Sequence, residues 1–445
     1  MKKYSRKELL KLLLKCLLIG SALYGAVTFI GLLKGRIEKL VPHQNRPNIV
    51  LLVLDCWRYD HFSPEITPNI WAFAKKGVRF EDYFVNADST LPSMMSIFSS
   101  VRPRYETEGN VDIGFRKFHE DPNRPAVISI DKDKVEALPK NLVTFPEVLK
   151  TFGYYTFAVI QNPLVGTPVG YDSKQWSKLD ETTVDNFKLG AEQLVRIAIK
   201  GLAERSEQEK KRPFFLYIHF MDAHFPYNRT QLTEDKFGRQ MKYEKTAKTN
   251  EKQALIVREA LLPEMKEHYK SGVAYIDKQI PELISKIGEL ENPLFIITAD
   301  HGEMFNEKGE ILHGGSMPQE IVHVPLVIFG VKLKTKVDKK LRQGIDIAPT
   351  VLSLANCKMP PSTEGVNLLS DIEAKEVFSS SCNEDAYISK KGPLGDIEIV
   401  RTLRWDKKNY FKEVIPAEMD QGQKAGQELK SEKLKEVLKA LGYAK

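Results

Sequence analysis

Cysteine is scarce in this sequence, with four residues in a chain of 445. So few cysteines over that length cannot form the dense disulfide framework that supports small secreted domains. Cys16 falls in an apolar segment near the start, and Cys56 falls in a cluster of functional candidates. Cys357 and Cys382 could pair in an oxidising compartment, and two buried free thiols account for them at least as well.

An excess of charge is also missing once the first residues are set aside. The net charge is +7, but residues 1–39 hold nine Lys or Arg against two Asp or Glu, and the rest of the chain holds 57 of each sign. A neutral body offers no basic surface for nucleic acid, so we expect no nucleic-acid partner. The basic excess instead flanks an apolar segment, which is typical of a membrane anchor.

That apolar segment covers residues 16–33 and contains no charged side chain. At 1.5 Å per residue its helix would be about 27 Å long, close to the thickness of a hydrocarbon core. We predict one transmembrane helix in the lipid bilayer rather than a cleaved signal peptide, because the run is long and no small-x-small cleavage site follows it. Six Lys or Arg precede the span and three follow it, which predicts a single-pass protein whose bulk is extracytoplasmic.

Apolar runs alternate with helical patterns beyond residue 46. The runs are nearly continuous, as expected of strands covered on both faces, and they lie at Asn48–Leu54, Phe214–Phe220, 294–298 and 324–329. Helical patterns lie at residues 68–76, 142–151, 184–204, 269–290 and 347–355. This alternation predicts an α/β layered fold with a mainly parallel central sheet.

Two stretches interrupt the alternation. Residues 104–140 and 228–262 are charged and lack apolar periodicity, so we predict that they are surface insertions. Beyond about residue 375 the pattern is mixed, with a strand candidate at Val377–Ser380 and a Lys/Glu-rich helix near 425–441. The predicted organisation is a tail, anchor and tether over residues 1–45, a main domain over 46–374 and a small C-terminal subdomain over 375–445.

Three of the four strand candidates end in groups suited to metal or anion chemistry. Asp55 follows the first, Asp222 and His224 follow the second, and Asp300 and His301 follow the third. Active groups gather at the carboxyl ends of strands in open α/β sheets, so Asp55, Asp300 and His301 could close on one divalent cation. Carboxylates with a neutral imidazole suit zinc, manganese or a similar metal. Taken singly, each acidic residue could equally be a helix cap or a surface charge.

The stretch S-T-L-P-S-M-M-S at residues 89–96 adds a candidate nucleophile. Thr90 could cap a helix whose first turn contains Pro92, in line with the residue preferences of helix N-termini. Its hydroxyl would then face the positive end of the helix and its free N–H groups, a place that suits a sulfate or phosphate oxygen. From this stretch alone Thr90 is either a cap or a nucleophile.

Taken in order, these motifs resemble the sulfatase branch of the alkaline phosphatase-like superfamily over roughly residues 46–405. The matching blocks include RPNIVLLVLDCWRYDHF, the segment that ends in STLPSMMSIFSSVRP, FFLYIHFMDAHFPY, IITADHGEMFNEKGEILHGGS and DIAPTVLSLA. The resemblance implies a three-layer sandwich around the sheet and a divalent metal ion (Zn, Mn or Ca) as cofactor. It also makes residues 46–374 a catalytic domain that hydrolyses or transfers a sulfate or phosphate ester.

The resemblance further assigns roles to individual residues. The positions that match metal ligands are Asp55, Thr90, Asp300 and His301, and Thr90 also matches the nucleophile. His224 and His313 match histidines that contact the ester oxygens or protonate the leaving group. Arg58 matches an arginine that helps to orient the nucleophile region.

The sequence departs from the family pattern at several of these positions. Sulfatases carry a Cys or Ser that becomes formylglycine within a C/S-x-P-x-R motif, whereas this chain has Thr90 and, in place of the Arg, Met94. Ser89 is one residue out of register, and Cys56 replaces the second carboxylate of an Asp-Asp pair. Relatives with Thr at this position, such as lipoteichoic acid synthases and phosphoethanolamine transferases, pass through a phospho-Thr intermediate. A metal-activated Thr alkoxide is a direct nucleophile toward phosphorus.

Three functions therefore remain open from the sequence. The first is a membrane-anchored phosphodiesterase or phosphotransferase acting, for example, on envelope lipid or glycopolymer. The second is a sulfuric ester hydrolase in the ordinary sense of the family. The third is a non-catalytic binding protein on a sulfatase fold, which the missing Arg and second Asp favour and the retained candidate ligands and histidines oppose.

Overall fold

The computed structural model describes the chain between residues 46 and 415. Within that range it leaves out residues 104–129, 132–133, 136–142, 161, 163–164, 166–172, 177–188, 226, 228–250, 290–291, 331–332, 382–383, 392–394 and 404–409. The predicted span at residues 16–33, Cys16, Cys382 and the predicted helix near 425–441 lie outside the described residues. No helix within the described part of the chain has the length and apolar character needed to cross a membrane.

The described elements follow one another in mixed α/β order. The α-helices are α1 Pro68–Ala74, α2 Thr90–Ser99, α3 Phe145–Thr151, α4 Ala191–Ala203, α5 Glu207–Lys210, α6 Glu251–Gly288, α7 Gln319–Val322 and α8 Ile347–Leu354. The strands up to residue 300 are β1 Asn48–Leu54, β2 Val78–Phe80, β3 Tyr83–Phe84, β4 Ile130–Asp131, β5 Lys134–Val135, β6 Tyr155–Ile160, β7 Ser173–Trp176, β8 Phe214–Phe220 and β9 Pro293–Thr298. The later strands are β10 Met304–Phe305, β11 Ile311–Leu312, β12 Leu326–Gly330, β13 Lys336–Asp338, β14 Arg342–Gln343, β15 Val377–Ser380, β16 Glu384–Lys391, β17 Asp396–Leu403 and β18 Tyr410–Ile415.

A central eight-stranded sheet organises the fold, with the strand order β13-β2-β12-β9-β1-β8-β6-β7. β1 lies between β8 and β9 and runs parallel to both, and β6 runs parallel to β7 and β8. The predicted mainly parallel sheet is therefore confirmed. β12 is the strand predicted at residues 324–329, and it runs antiparallel to both β9 and β2.

The apolar runs form the inner strands because both faces of the sheet are covered. Every residue of β8 is buried, as is every residue of β1 after Asn48. The helices fall into two groups that make contacts within each group, α1, α4 and α6 in one and α2, α3 and α8 in the other. Helices of both groups contact strands of the central sheet, which gives a layered α/β architecture.

Helix α6 corrects the predicted insertion at residues 228–262. The helix begins at Glu251, well before the pattern recognised at residues 269–290. The stretch that opens it, EKQALIVREALL, shows little regular apolar spacing but consists largely of good helix formers. Intrinsic propensity is therefore the signal that the search for periodicity missed.

A second, four-stranded antiparallel sheet lies in the predicted C-terminal subdomain, in the order β15-β16-β17-β18. The strand candidate Val377–Ser380 is confirmed as β15, and β16, β17 and β18 were not predicted. Strand β16 reads EDAYISKK, and its buried positions alternate with more exposed ones, so it lacks the apolar run of a central strand. Side chains of this sheet form a separate core with Met304, Met317 and Ile321, and this core holds the segment that carries His313.

Candidate active site

The strand register brings three distant segments to one edge of the sheet. Leu54 at the end of β1 pairs with Phe220 at the end of β8, and Val53 pairs with Thr298 at the end of β9. The residues that follow these strands are therefore neighbours in space. The Asp222 carboxylate instead binds the beginning of a helix, because its Oδ1 accepts a hydrogen bond from the Ala191 N–H at the start of α4.

Asp55, Asp300 and His301 lie together at this edge, and all three are fully buried. One candidate ligand atom from each falls within 4.8 Å of the others. The His301 Nε2 atom lies 3.7 Å from Oδ1 of Asp55 and 3.5 Å from Oδ2 of Asp300. The structure thus places the three predicted ligands in one cluster.

The donor atoms of this cluster fit a divalent cation. Asp300 Oδ2 is buried and has no hydrogen-bond partner among the described residues. His301 holds its Nδ1 2.9 Å from the Gly302 carbonyl oxygen, which places the ring proton there and leaves the Nε2 lone pair directed at the carboxylates. Two buried carboxylates and a neutral imidazole form a ligand set of the kind that hard or borderline cations take.

The electrostatics of the cluster support the same conclusion. Burial acts to raise the pKa of Asp55, but the neighbouring histidines, His224 foremost, hold it well below its usual value. Burial and the charge of Asp55 raise the pKa of Asp300 to about 7. Burial and nearby His313 lower the pKa of His301 to about 3, so its imidazole is neutral at physiological pH. A bound cation would relieve the repulsion between the two carboxylates.

Thr90 lies beside this cluster, with its side chain buried. Its Oγ1 atom is 3.3 Å from His301 Nε2 and 3.4 Å from Asp55 Oδ2. Of the two alternatives for Thr90, the cap is wrong, because Ser89 occupies the N-cap position and Thr90 is the first residue of α2. The Thr90 hydroxyl contacts the cluster instead.

Two residues of the site were not predicted from the sequence. Asn162 donates from Nδ2 to Asp55 Oδ2 at 2.9 Å and lies 3.2 Å from Thr90 Oγ1. His219 lies on β8 with its Nε2 2.9 Å from Asp55 Oδ2. The signal for His219 was an imidazole within the otherwise apolar run FFLYIHF, and for Asn162 a polar residue just after β6.

His224 and His313 face each other beside the cluster, with ring centroids 5.2 Å apart. The Nδ1 atom of His224 is 2.6 Å from the Phe225 carbonyl oxygen, and that of His313 is 2.9 Å from Glu303 Oε1. The hydroxyl of Tyr227 donates to the other Glu303 oxygen at 2.8 Å. Burial acts to lower the pKa of His313, but the Glu303 carboxylate outweighs it and raises the pKa to about 9. His313 is therefore a charged proton donor at neutral pH.

Arg58 connects two loops at the rim of the site. Its guanidinium contacts Asp60, the Glu307 carboxylate at 2.8 Å and the Glu303 carbonyl oxygen at 3.0 Å. It thus ties the loop after β1 to the segment that supports His313. The role assigned to Arg58 near the nucleophile stays a prediction.

Cys56 follows Asp55 directly and is fully buried in the same cluster. Its Sγ atom lies 3.1 Å from Asp55 Oδ1 and 3.5 Å from His313 Nδ1. Burial, together with the charges of Glu303 and Asp55, raises the pKa of this thiol well above its usual value. Cys357 is a second buried free thiol, which agrees with the unpaired alternative for that residue.

Comparisons with known proteins identify the family of this chain. The family described as Sulfatase matches residues 47–357, most of the described chain. The chain belongs to the sulfatase family. The resemblance inferred from the ordered motifs is confirmed, and the protein is a sulfatase-family hydrolase.

One related sulfatase and two solved structures are also similar to this chain. An arylsulfatase from Clostridium perfringens is 24% identical over 385 residues, which cover 74% of this chain and 79% of that sulfatase. A solved protein of the alkaline phosphatase superfamily from Vibrio parahaemolyticus has a TM-score of 0.56 at 14% identity and covers 90% of this chain and 87% of its own. A phosphonate monoester hydrolase from Silicibacter pomeroyi has a TM-score of 0.55 at 14% identity, and the match covers 89% of this chain and 94% of that hydrolase. The two solved structures bear on the fold alone.

Proposed function

We propose that this sulfatase-family protein is a metal-dependent hydrolase or transferase of phosphate esters with Thr90 as its nucleophile. The observation that carries the proposal is the position of the Thr90 hydroxyl, 3.3 Å from His301 and 3.4 Å from Asp55. Asn162 donates a hydrogen bond to Asp55 and lies 3.2 Å from the same hydroxyl, which fixes its place. A capping threonine would not be expected to hold its hydroxyl among candidate metal ligands.

Phosphorus is favoured over sulfur by the chemistry of threonine. Formylglycine is an aldehyde, and the β-methyl group of Thr90 would not be expected to give one. Met94 also stands where the sulfatase motif has an arginine. A threonine hydroxyl can attack phosphorus directly, without prior modification.

The metal would be held by Asp55, Asp300, His301 and Thr90. When bound, it would lower the pKa of the Thr90 hydroxyl and neutralise charge on the phosphoryl oxygens. In the first step Thr90 reacts as the alkoxide, its hydroxyl proton having passed to solvent, and its oxygen forms a bond to phosphorus as the bond to the leaving oxygen breaks. His313 is protonated at neutral pH and donates its proton to that leaving oxygen.

The second step releases the phosphoryl group from Thr90. Water or a second alcohol attacks phosphorus, and the neutral His313 left by the first step takes up the proton of the attacking hydroxyl. The bond between phosphorus and the Thr90 oxygen breaks, which restores the starting enzyme. Water gives hydrolysis, and an alcohol on a lipid or glycopolymer gives transfer.

Turnover of bis(4-nitrophenyl) phosphate by the purified full chain tests the nucleophile. Thr90→Ala should lower turnover by at least about 10³-fold, because removal of a covalent nucleophile leaves only binding and electrostatic stabilisation. Ser89→Ala is the matched control, since the Ser89 hydroxyl contacts Asp88 instead. Turnover retained in Thr90→Ala would overturn the assignment.

A second candidate is a sulfuric ester hydrolase, which the family match and the similar arylsulfatase favour. Assay of 4-nitrophenyl sulfate beside the phosphate diester separates the two. Mass spectrometry of the peptide over residues 89–94 should show an unmodified Ser89 if the phosphate proposal is right. Faster turnover of the sulfate ester, together with a modified Ser89, would show that the protein is a sulfuric ester hydrolase. Bound metal without turnover of either ester would favour a binding protein.

We also propose that residues 16–33 anchor the catalytic domain on the extracytoplasmic side of a membrane. The support is the uncharged run of 18 residues with its basic flank. Envelope lipid headgroups or glycopolymers would then be within reach as substrates. Extraction of membranes at alkaline pH should leave the full chain in the pellet and release a variant lacking residues 1–45. Release of both would contradict the anchor.

A further inference from the structure

We propose that Cys56 supplies a thiolate ligand to the divalent cation of this site, so that the site prefers Zn²⁺ to Ca²⁺. The inference rests on the metal dependence in the proposed function, but it does not depend on the role of Thr90. It concerns a residue that replaces the second carboxylate of the family pattern. The outcome would be a sulfur-containing ligand set where the family pattern has oxygen.

The geometry places the Cys56 sulfur among ligand atoms rather than in an apolar pocket. Candidate atoms of Asp55, Cys56 and His224 lie within 4.8 Å of one another. Those of Cys56, His301 and His313 meet the same condition. The sulfur is thus shared between two groups, each of which contains nitrogen donors.

A buried free cysteine most often packs as a small apolar side chain. The nearest polar atoms to the Cys56 sulfur argue for another role, because Asp55 Oδ1 lies at 3.1 Å and His313 Nδ1 at 3.5 Å. Cys357 shows the contrast, since the hydrogen-bond partner given for its sulfur is a backbone carbonyl oxygen at 3.5 Å. Of these two thiols, Cys56 is the one that lies within a group of candidate metal ligands among the described residues.

The backbone holds the Cys56 side chain in this direction at a conformational cost. Its φ angle is +65°, in the left-handed region that residues with a Cβ atom rarely adopt. The Cys56 N–H donates to Asp300 Oδ1 at 3.3 Å, and the Tyr269 hydroxyl donates to the Cys56 carbonyl oxygen at 2.8 Å. Strained residues of this kind collect at functional sites, where the surrounding structure fixes them.

The chemistry of the donor set then selects the cation. Ca²⁺ takes six to eight oxygen ligands, whereas Zn²⁺ binds thiolate, imidazole and carboxylate in a set of about four. As the bond between sulfur and metal forms, the thiol bond to hydrogen breaks and the proton leaves to solvent. Cys56 lies in one candidate group with Asp55 and in another with His301, so these residues can offer one sulfur, one imidazole nitrogen and carboxylate oxygen.

Cobalt substitution tests the ligand without any assay of turnover. The full chain is stripped with a chelator and titrated with Co²⁺ alone, and the absorption spectrum is recorded. A thiolate ligand should produce an intense sulfur-to-cobalt charge-transfer band in the near ultraviolet. Cys56→Ser should lose that band, and Cys357→Ser, a matched change at the other buried thiol, should keep it.

Two further measurements keep the test decisive if Cys56→Ser folds poorly. X-ray absorption at the zinc edge of the wild-type protein should show one sulfur scatterer at about 2.3 Å. Cys56→Asp should move the relative affinity away from Zn²⁺ and toward Ca²⁺. Zinc bound without a sulfur scatterer, or an equal cobalt band in wild type and Cys56→Ser, would overturn the proposal. Neither result would bear on Thr90, whose test is turnover.

Discussion

His219 holds Asp55 from the neighbouring strand, with its Nε2 atom 2.9 Å from Oδ2 of Asp55. On its other side the Nδ1 atom of His219 lies 2.6 Å from the hydroxyl of Tyr217. The carboxylate can only accept, so the Nε2 atom carries the proton and the tyrosine donates to Nδ1. This buried chain fixes the orientation of a candidate metal ligand from behind.

Replacing His219 should therefore weaken metal binding, although His219 acts through Asp55 and is not itself a proposed ligand. We expect His219→Leu to lower metal affinity by about 10- to 100-fold, as for other residues that orient a ligand. His219→Gln places an N–H donor near the same point and should recover much of that loss. Competition against a chromogenic chelator measures both, with thermal unfolding as the check on folding. Equal affinity in the wild type and in His219→Leu would show that Asp55 needs no such support.

His313→Ala should slow the reaction in a way that depends on the leaving group. A general acid contributes about 10²- to 10⁴-fold when the leaving oxygen needs a proton. An alkyl phosphate ester should lose activity on that scale, whereas a nitrophenyl ester, whose leaving group departs without protonation, should lose far less. The ratio of kcat/KM for the two esters is the measurement. Equal losses would mean that His313 positions the substrate instead.

The buried carboxyl of Asp346 should make stability depend on pH. Burial outweighs its bonds from the Val366 and Gln343 N–H groups and the nearby Arg342 charge, and raises the pKa from 3.8 to about 6. The folded state holds this proton more tightly than the unfolded state. The protonated Asp346 carboxyl therefore contributes its full share to the free energy of unfolding below about pH 4. This contribution is lost as pH rises through about 6, and the difference amounts to about 3 kcal/mol.

Comparison of Asp346→Asn with the wild type isolates this group from other carboxyls. The free energy of unfolding of the wild type relative to the variant should fall between about pH 4 and pH 7. Denaturant unfolding at several pH values gives both curves. Parallel curves over this range would show that Asp346 does not carry the raised pKa.

Two glycines of α6 should respond in opposite directions to the same change. A Cβ atom at Gly272 would lie 2.2 Å from the carbonyl oxygen of Asp222, whereas one at Gly288 would meet nothing within 4 Å. Gly272→Ala should lower the free energy of unfolding by about 1–3 kcal/mol, as overpacking does. Gly288→Ala should raise it by up to about 1 kcal/mol. Denaturant unfolding compares them, and equal effects would show that α6 does not pack closely against the loop before His224.

Much of the central sheet could be predicted because its inner strands are buried on both faces. A strand in that environment needs apolar residues at every position, and Asn48–Leu54 and Phe214–Phe220 show this in the bare sequence. Strand β16 alternates buried and more exposed positions, so its polar alternation resembled loop sequence. The boundaries of α6 were missed because no regular apolar spacing marks its beginning.

The candidate site divides in the same way. Asp55, Asp300, His301 and His224 were found because they follow recognisable strands. The family resemblance added His313 and favoured the nucleophile over the cap for Thr90. The position of Thr90 within α2 was wrong by one residue, since either Ser89 or Thr90 can begin a helix that contains Pro92. His219 could not be placed, because its contact with Asp55 depends on the register between β1 and β8, which neither strand encodes alone.

The central position of β1 also has a consequence for how the chain folds during its synthesis. Its neighbours are distant in sequence: Phe214 of β8 bonds to Asn48 166 residues away, and Asp300 after β9 bonds to Cys56 244 residues away. At about 5–20 residues per second, roughly 10–50 s pass between the synthesis of β1 and that of its second partner. Until β8 is made, this largely apolar strand has both edges unpaired, and until β9 is made it has one, the condition under which chains aggregate. We therefore expect heterologous expression to give more soluble protein when β1 is shielded by a holdase chaperone, and soluble yield with and without such a chaperone measures it.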